Sequence, residues 1–400
     1  METLEQEHHQ STTTTVPDEI IDDILSRLPV KSILRFRSVS KPWLSRISDP
    51  SFTKLHSTDH HHTGLFISAY DESPHKHHLL SAACDGGPVT HLLTIDCASD
   101  HDIPVAEHLN GLVFFNTVNV FTHSAKANPF VINPSRRKFF RLPHPYTDRN
   151  RIWRVFYYFG FDESRNEHKV LMIRKFHYPT RFEVMIFSLS TCSWRKIDAE
   201  FPIGFSWDHL HFYSKSVCVN SVIHLLCQDN LSLLILAFDL RTEMVSVINV
   251  PQVSVPHYDD EEPCIIKTNG RIGVVDRDYN LMLENNEMLI WILQDYENRV
   301  WVKEIIAFPE PWIELGGPYP NDSVNMDEII FRSGNLSEDV TSLLVYNKRS
   351  RNFKSLQFTP GHQFPFSTSS RFSLMSLCLM SYFAVQISLC LIVQIVRPFG

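Results

Sequence analysis

The sequence predicts an α+β multidomain chain: a short N-terminal helical part, then an all-β, propeller-like domain of about five to six four-stranded units. Three observations carry this. Apolar residues recur at helical spacing only over residues 16–52. After residue 63 they recur at period two or in short runs, the mark of strands. An eleven-residue pattern then returns at intervals of 51–55 residues, the length of a blade of four antiparallel strands.

The helical part divides at its prolines. Pro17 suits a first helical position, and Asp18 and Glu19 favour the positive end of the helix dipole. Ile20, Ile21, Ile24, Leu25 and Leu28 form an apolar stripe that leaves out Asp22, Asp23 and Arg27. Pro29 stops this helix. "VKSILRFRSV" restarts with Ile33, Leu34, Phe36 and Val39, and Ser40 is the expected N-cap of a third helix carrying Pro42, Trp43, Leu44 and Ile47. A helical piece this small buries too little surface to fold alone, so part of its apolar face needs a cover.

The repeat reads "INPSRRKFFRL", "FSLSTCSWRKI", "FDLRTEMVSVI" and "YNKRSRNFKSL", with "WILQDYENRVWVKEI" as a copy with a longer turn. Its anchors are Ile132, Phe187, Phe238, Trp291 and Tyr346. A hairpin-like pair of runs precedes each copy, turning at Asn110-Gly111, Asn166, Asn220-Ser221, Asn269-Gly270 and near Gly334. "GLFISAY" and "VTHLLTI" are left for an incomplete first blade, so closing the ring requires strand exchange between the two ends. The expected divisions are a disordered 1–15, the helical part at 16–55, the β domain at 64–377 and an apolar tail at 378–400.

Composition excludes several functions. A net charge of −8 argues against a general nucleic-acid binder. The eight cysteines form no C-x-x-C pair and are expected to be reduced thiols rather than a metal site. The histidine runs at 60–62 and 75–78 and the acidic stretch Tyr258–Pro263 read as solvated loops. The N-terminus has no apolar core of a signal peptide. Phosphate-loop, nucleophile-elbow, zinc-helix and dinucleotide motifs are absent, so catalytic residues, metal and cofactors are expected to be none. From Phe372 to Val396 there is no charge, and as a helix those 25 residues would span roughly 37 Å. "RFSLMSL" fits a last propeller strand. The remainder reads as a non-native continuation of the coding frame, as buried closing strands, or as a membrane tail anchor.

"VPDEIIDDILSRLPVKSILRFRSVSKPW" closely resembles an F-box, departing mildly at Val16 and Ser38. "HLNGLVFF", "NPSRRKFFRLP", "YYFGFDESRNEHKVLMI", "FSLSTCSWRKI" and "FDLRTEMVSVINVP" resemble, in order, the F-box-associated region of the large plant F-box family. The resemblance implies a non-catalytic substrate receptor of a Skp–cullin–F-box ubiquitin ligase. The Skp adaptor, and cullin through it, would be reached by Pro17, Ile20, Ile24, Leu28, Pro29, Val30, Leu34, Val39, Lys41 and Trp43. A protein substrate would meet propeller loops, where Trp207, Tyr258, Trp312 and Tyr319 are candidate anchors. The implied compartment is cytoplasm or nucleus. A ligase-independent Skp-binding scaffold and a propeller hydrolase are the rival readings.

Overall fold

The computed structural model describes residues 18–26, 28, 30–36, 38–49, 52, 63–71, 76–96, 102–119, 124–125, 129–134, 136–145, 152–176, 181–199, 210–229, 232–251, 264–276, 279–323, 327–332, 342–359 and 372–381. Expectations for Pro17, Pro29, Trp207, Tyr258, the 1–15 segment and the tail beyond 381 lie outside them. The chain divides into two units, Met1–His62 and Thr63–Gly400.

The first unit contains α1 (Asp18–Ser26), α2 (Val30–Phe36) and α3 (Lys41–Ile47). The second is a six-bladed β-propeller. Blade one begins with β1 (Thr63–Asp71), β2 (Lys76–Ala83) and β4 (Thr90–Asp96); between the last two, the two-residue β3 (Gly87–Pro88) adds to blade six. Blade two holds β5 (Asp102–Leu109), β6 (Leu112–Asn119), the short β7 (Ser124–Ala125), β8 (Phe130–Asn133) and β9 (Lys138–Arg141). Blade three holds β10 (Ile152–Asp162), β11 (Glu167–Phe176), β12 (Arg181–Ser188) and β13 (Ser193–Ile197). Blade four holds β14 (Leu210–Val219), β15 (Val222–Asp229), β16 (Ser232–Asp239) and β17 (Val245–Asn249). Blade five holds β18 (Cys264–Thr268), β19 (Arg271–Asp276), α4 (Tyr279–Asn285), β20 (Glu287–Asp295) and β21 (Val300–Ala307). Blade six holds β22 (Tyr319–Ser323), β23 (Glu328–Arg332), β24 (Ser342–Asn347) and β25 (Asn352–Thr359). Finally β26 (Phe372–Ser381) returns to blade one, giving the sheet order β26-β1-β2-β4.

The core is divided among the blade seams. Phe66 and Leu79 of blade one pack with Phe115 and Phe130 of blade two. Phe114 and Phe140 meet Phe159 and Phe187 at the next seam, and Tyr158 and Leu171 meet Ile223 and Phe238 after it. Leu226 and Ile235 then pack on Ile265 and Val274, and Ile290 and Ile306 on Phe331 and Tyr346. Leu65 and Leu80 close the circle against Val345 and Phe358. A middle strand is therefore covered on both faces, so from His168 to Phe176 β11 is buried at every position. Outer strands such as β13 and β21 are largely uncovered and mix exposed with part-buried positions.

Two expectations are corrected here. The histidine run does not form a solvated loop: Lys76–Ala83 is β2, and His77 and His78 are 1% and 3% exposed. His77 meets Phe115 edge-on with ring centroids 6.2 Å apart, and His78 Nδ1 lies 3.0 Å from Thr94 Oγ1. Uncharged imidazoles pack as aromatic rings, which a hydropathy pattern scores as polar. Cys84, Cys218, Cys227 and Cys264 are free, but Cys192 is disulfide-bonded.

The repeat owes its form to a turn. Each copy has a side-chain oxygen that accepts backbone N–H groups two or three residues ahead, and a residue at positive φ four ahead. Asp239 Oδ1 accepts from Arg241 N at 2.8 Å, with Glu243 at φ 60. Asn347 Oδ1 accepts from Arg349 N and Ser350 N at 3.0 Å, with Arg351 at φ 54. Asn133 with Arg137, Ser188 with Cys192, and Asp295 with Arg299 repeat the geometry. The side-chain acceptor fixes the turn, so the left-handed residue need not be glycine.

Neighbouring blades are also tied by polar groups. Lys169 Nζ, on β11, lies 2.7 Å from Asp162 Oδ2 and donates to the Leu240 carbonyl of blade four at 3.1 Å. Burial pushes the Asp162 carboxyl up, but the Lys169 and Ser164 hydrogen bonds outweigh it and hold it below its ordinary range. Trp194 Nε1 donates to the Pro143 carbonyl after blade two, and Trp301 Nε1 to Asn249 of blade four.

The ring closes twice. β26 pairs antiparallel with β1 from Thr63↔Ser381 to Asp71↔Phe372, running four residues past the expected end at 377. β3 adds in parallel to β25, with Phe358↔Gly87 and Thr359↔Pro88. Gly86 leads into β3 at φ +93, and a Cβ there would lie 2.5 Å from the Gln357 carbonyl oxygen. Gly86→Ala is expected to cost about 2–3 kcal/mol in urea unfolding. Gly87→Ala, at φ +97 but in open space, is expected to cost about 1 kcal/mol. Deleting 372–400 should abolish the cooperative transition; retained cooperativity would mean the β26–β1 pairing does not close the ring.

Candidate functional site

Within the first unit, α1 and α3 are joined by Arg46 Nη1 to Asp22 Oδ1 at 2.9 Å. Ser40 caps α3, its hydroxyl accepting from Trp43 N at 3.4 Å, and Phe36 and Trp43 have ring centroids 5.1 Å apart. Leu25, Ile33, Ile47 and Phe52 are buried. Ile20 and Ile24, one turn apart on α1, are 50% and 53% exposed, and Val39 and Leu44 are 65% and 42% exposed. These exposed side chains form apolar surface on a unit whose described buried core is small.

In the propeller, the axis is bridged by side chains. The innermost strands β26, β5, β10, β14, β18 and β22 are neighbours in that circular order. Glu107 of β5 accepts from Phe159 N of β10 at 2.9 Å, and from Ser216 N and Oγ of β14 at 3.0 and 2.8 Å. Lys215 Nζ donates to the Asn321 carbonyl of β22. These groups satisfy free backbone edges of facing strands. Part of Glu107 faces the axis, but its carboxyl is enclosed, and burial pushes it up to about 7 against the Ser216 and Phe159 hydrogen bonds. No group of three or more metal-ligating side chains exists among the described residues.

The F-box domain matches residues 15–55, and the F-box associated beta propeller domain matches residues 56–378. The chain belongs to the F-box proteins with an associated β-propeller. An F-box protein of Arabidopsis thaliana named DOR is 27% identical over 325 residues, covering 76% of each chain. The putative F-box protein At1g47790 of the same plant is 26% identical over 303 residues, covering 72% of this chain and 71% of its own. The Dos1 propeller, a solved structure, aligns with a TM-score of 0.32 and 11% identity over 79% of this chain and 75% of that one.

Of the ten F-box positions expected to meet an adaptor, Ile20, Ile24, Val39 and Lys41 are exposed, and Leu28 and Trp43 are half-buried. Val30 and Leu34 lie in α2, with their side chains outside the described residues. Leu44, which the expected set lacked, joins the exposed group; its place in the stripe of α3 was readable. Of the four candidate substrate anchors, Trp312 and Tyr319 are brought together, T-shaped with centroids 5.4 Å apart. Trp312 is 5% exposed, with Nε1 donating to the Pro318 carbonyl at 3.0 Å and its backbone N to Asn286 Oδ1 at 2.7 Å. Its ring thus packs in the blade five–six core and holds the loop on which Ile313 is 60% exposed. No helix among the described residues is long and apolar enough to cross a membrane.

Buried histidines make the F-box protein's propeller acid-sensitive. His168 donates Nε2–H to the Leu109 carbonyl at 2.9 Å, with Phe159 stacked on its ring. His224 donates Nδ1–H to the Val217 carbonyl at 3.2 Å, leaving Nε2 to accept from Tyr296 Oη at 3.0 Å. Burial pulls both imidazoles down to about 4. A histidine lowered on folding binds its proton more readily when unfolded, so stability falls as pH drops from about 6.5 towards 4. Glu107, raised on folding, acts in the opposite sense and loses stability as pH rises through about 7. The two windows overlap between about pH 4.5 and 6.5, where two histidines outweigh one carboxyl, so denaturant unfolding should show stability falling from about pH 6.5 towards 4. His168→Gln is expected to flatten that fall by up to about 3 kcal/mol, and Glu107→Gln to steepen it.

Proposed function

We propose that this chain is the substrate-recruiting receptor of a Skp–cullin–F-box ubiquitin ligase. In this reading the helical unit binds the Skp adaptor, which carries cullin, and the propeller holds a protein substrate. The chain itself is non-catalytic. The observation that carries the reading is the F-box match over residues 15–55, on a small helical unit that leaves Ile20, Ile24, Val39 and Leu44 exposed. The adaptor would bury that set, with Leu28, Pro29, Val30, Leu34, Lys41 and Trp43 around it. On the propeller, Trp312 and Tyr319 would act by holding the 309–318 loop in place, and Trp207 and Tyr258 as contacts. Cytoplasm and nucleus are the compartments this role requires.

Co-purification with a Skp adaptor tests the reading. Ile24→Asp and Val39→Asp are expected to weaken capture by more than tenfold while the propeller's unfolding midpoint stays unchanged. Undiminished capture by both variants would remove the exposed face as the docking surface. Capture of adaptor without cullin or loss of a bound partner would favour the scaffold reading.

A further inference from the structure

In a chain of net charge −8, Lys267, Arg271, Lys348, Arg349 and Arg351 stand at or beside two turns of blades five and six. Lys348 Nζ donates to Thr268 Oγ1, which draws the two turns together. Thr268 stands opposite Arg271 across the β18–β19 hairpin and follows Lys267. Arg349 and Arg351 belong to the same turn as Lys348, and Lys267, Arg271, Arg349 and Arg351 are all exposed.

Several cations of blades three and four are matched by carboxylates. Lys169 pairs with Asp162, Arg195 with Glu243 and Arg241 with Asp239. In blades five and six the matching is incomplete. Asp327 lies 2.9 Å from Arg349, and Glu304 only 3.8 Å from Lys348. Arg271 donates to the neutral Gln294 at 2.5 Å. Lys267 and Arg351 make no ion pair among the described residues. The charge of Lys267 also reaches inward, adding to the burial and the His168 charge that lower His108 on β5. The unmatched charge thus extends from the axis towards the rim.

We propose that this sector binds an acidic segment of a partner protein, its clustered anionic side chains held by Arg271, Arg349 and Arg351 with Lys267 nearest the axis. Guanidinium groups take carboxylates or phosphates in paired hydrogen bonds, and three of them on two adjoining turns suit closely spaced anions. A long polyanion such as nucleic acid meets the net negative charge of the rest of the chain, whereas a short acidic segment is met locally. This holds whether or not the helical unit docks an adaptor.

The test is fluorescence anisotropy of the full chain with a labelled peptide alternating Glu and Gly. Its phosphoserine counterpart, a Gln-for-Glu version and a single-stranded oligodeoxynucleotide of equal charge complete the set. Binding of either anionic peptide, weakened by salt and absent for the Gln version, is expected. Lys267→Glu/Arg271→Glu/Arg351→Glu should weaken it more than tenfold, and Arg165→Glu on blade three should leave it unchanged. If the triple variant fails to fold, Arg351→Glu alone is expected to weaken binding about threefold, each lost contact being worth a fraction of the whole. Tighter binding of the phosphoserine peptide would name phosphate as the preferred anion, and equal binding would show that carboxylates suffice. No binding, no effect of charge reversal, or equal binding of the oligonucleotide would overturn the proposal.

Discussion

Everything in the propeller depends on β26 pairing with β1. A single blade is a thin sheet with two apolar faces, and neither face is buried unless another blade stands beside it. Five seams between consecutive blades form from local order along the chain, but the sixth has to join the two ends. Blade one lacks its own innermost strand, and β26 supplies it. The loop so closed spans most of the chain, yet closure entropy grows only with the logarithm of loop length. Nine antiparallel residue pairs on one side and the β3–β25 pairing on the other offset it. The same pairing covers the inner edge of β1, which would otherwise stand open to strand addition.

With the ring closed, the blades need only be alike enough to pack, and the turn chemistry supplies that likeness. Acceptors at Asn133, Ser188, Asp239, Asp295 and Asn347 set five turns with the same offset to a left-handed residue. Inner hairpins use Asn110, Asn166, Asn220 and Asn269 at positive φ in the same spirit. This explains how a chain of 400 residues with 13 glycines makes so many tight turns. Asparagine tolerates the left-handed region, and a side-chain acceptor compensates where arginine, glutamate or cysteine occupies it.

These features were legible because they are local. A turn signal and the anchor ahead of it recur at fixed spacing, so five of the six blades could be read from pattern. The first could not. Its middle strand begins Lys76-His77-His78, and the burial of those rings depends on Phe115 and Thr94, residues distant in sequence. The extension of β26 to Ser381 was masked by an uncharged run without glycine or proline, which gives no stop signal. Trp312 is readable as a large aromatic in a propeller loop; its hydrogen bonds to Asn286 and Pro318, which bury it, are not readable from spacing. In the helical unit, the stripe was readable, but not which half of it would be covered within the unit.

That last division is where fold passes into function. Ile24 and Leu25 are neighbours in sequence and equal in apolarity, yet one is 53% exposed and the other 1%. Leu25 is buried, as Ile33 and Ile47 are, and a helix cannot turn adjacent residues the same way. The interior can take no more, since a unit of this size has room for few large side chains. Full burial of one such side chain is worth about 1.5–3 kcal/mol, so four half-exposed ones hold several kcal/mol in reserve. A soluble chain keeps such a reserve at a cost in stability and solubility, and that cost is offset only when another surface takes it up. In the proposed reading, the exposed half of the α1 stripe is one side of an interface whose other side belongs to the adaptor.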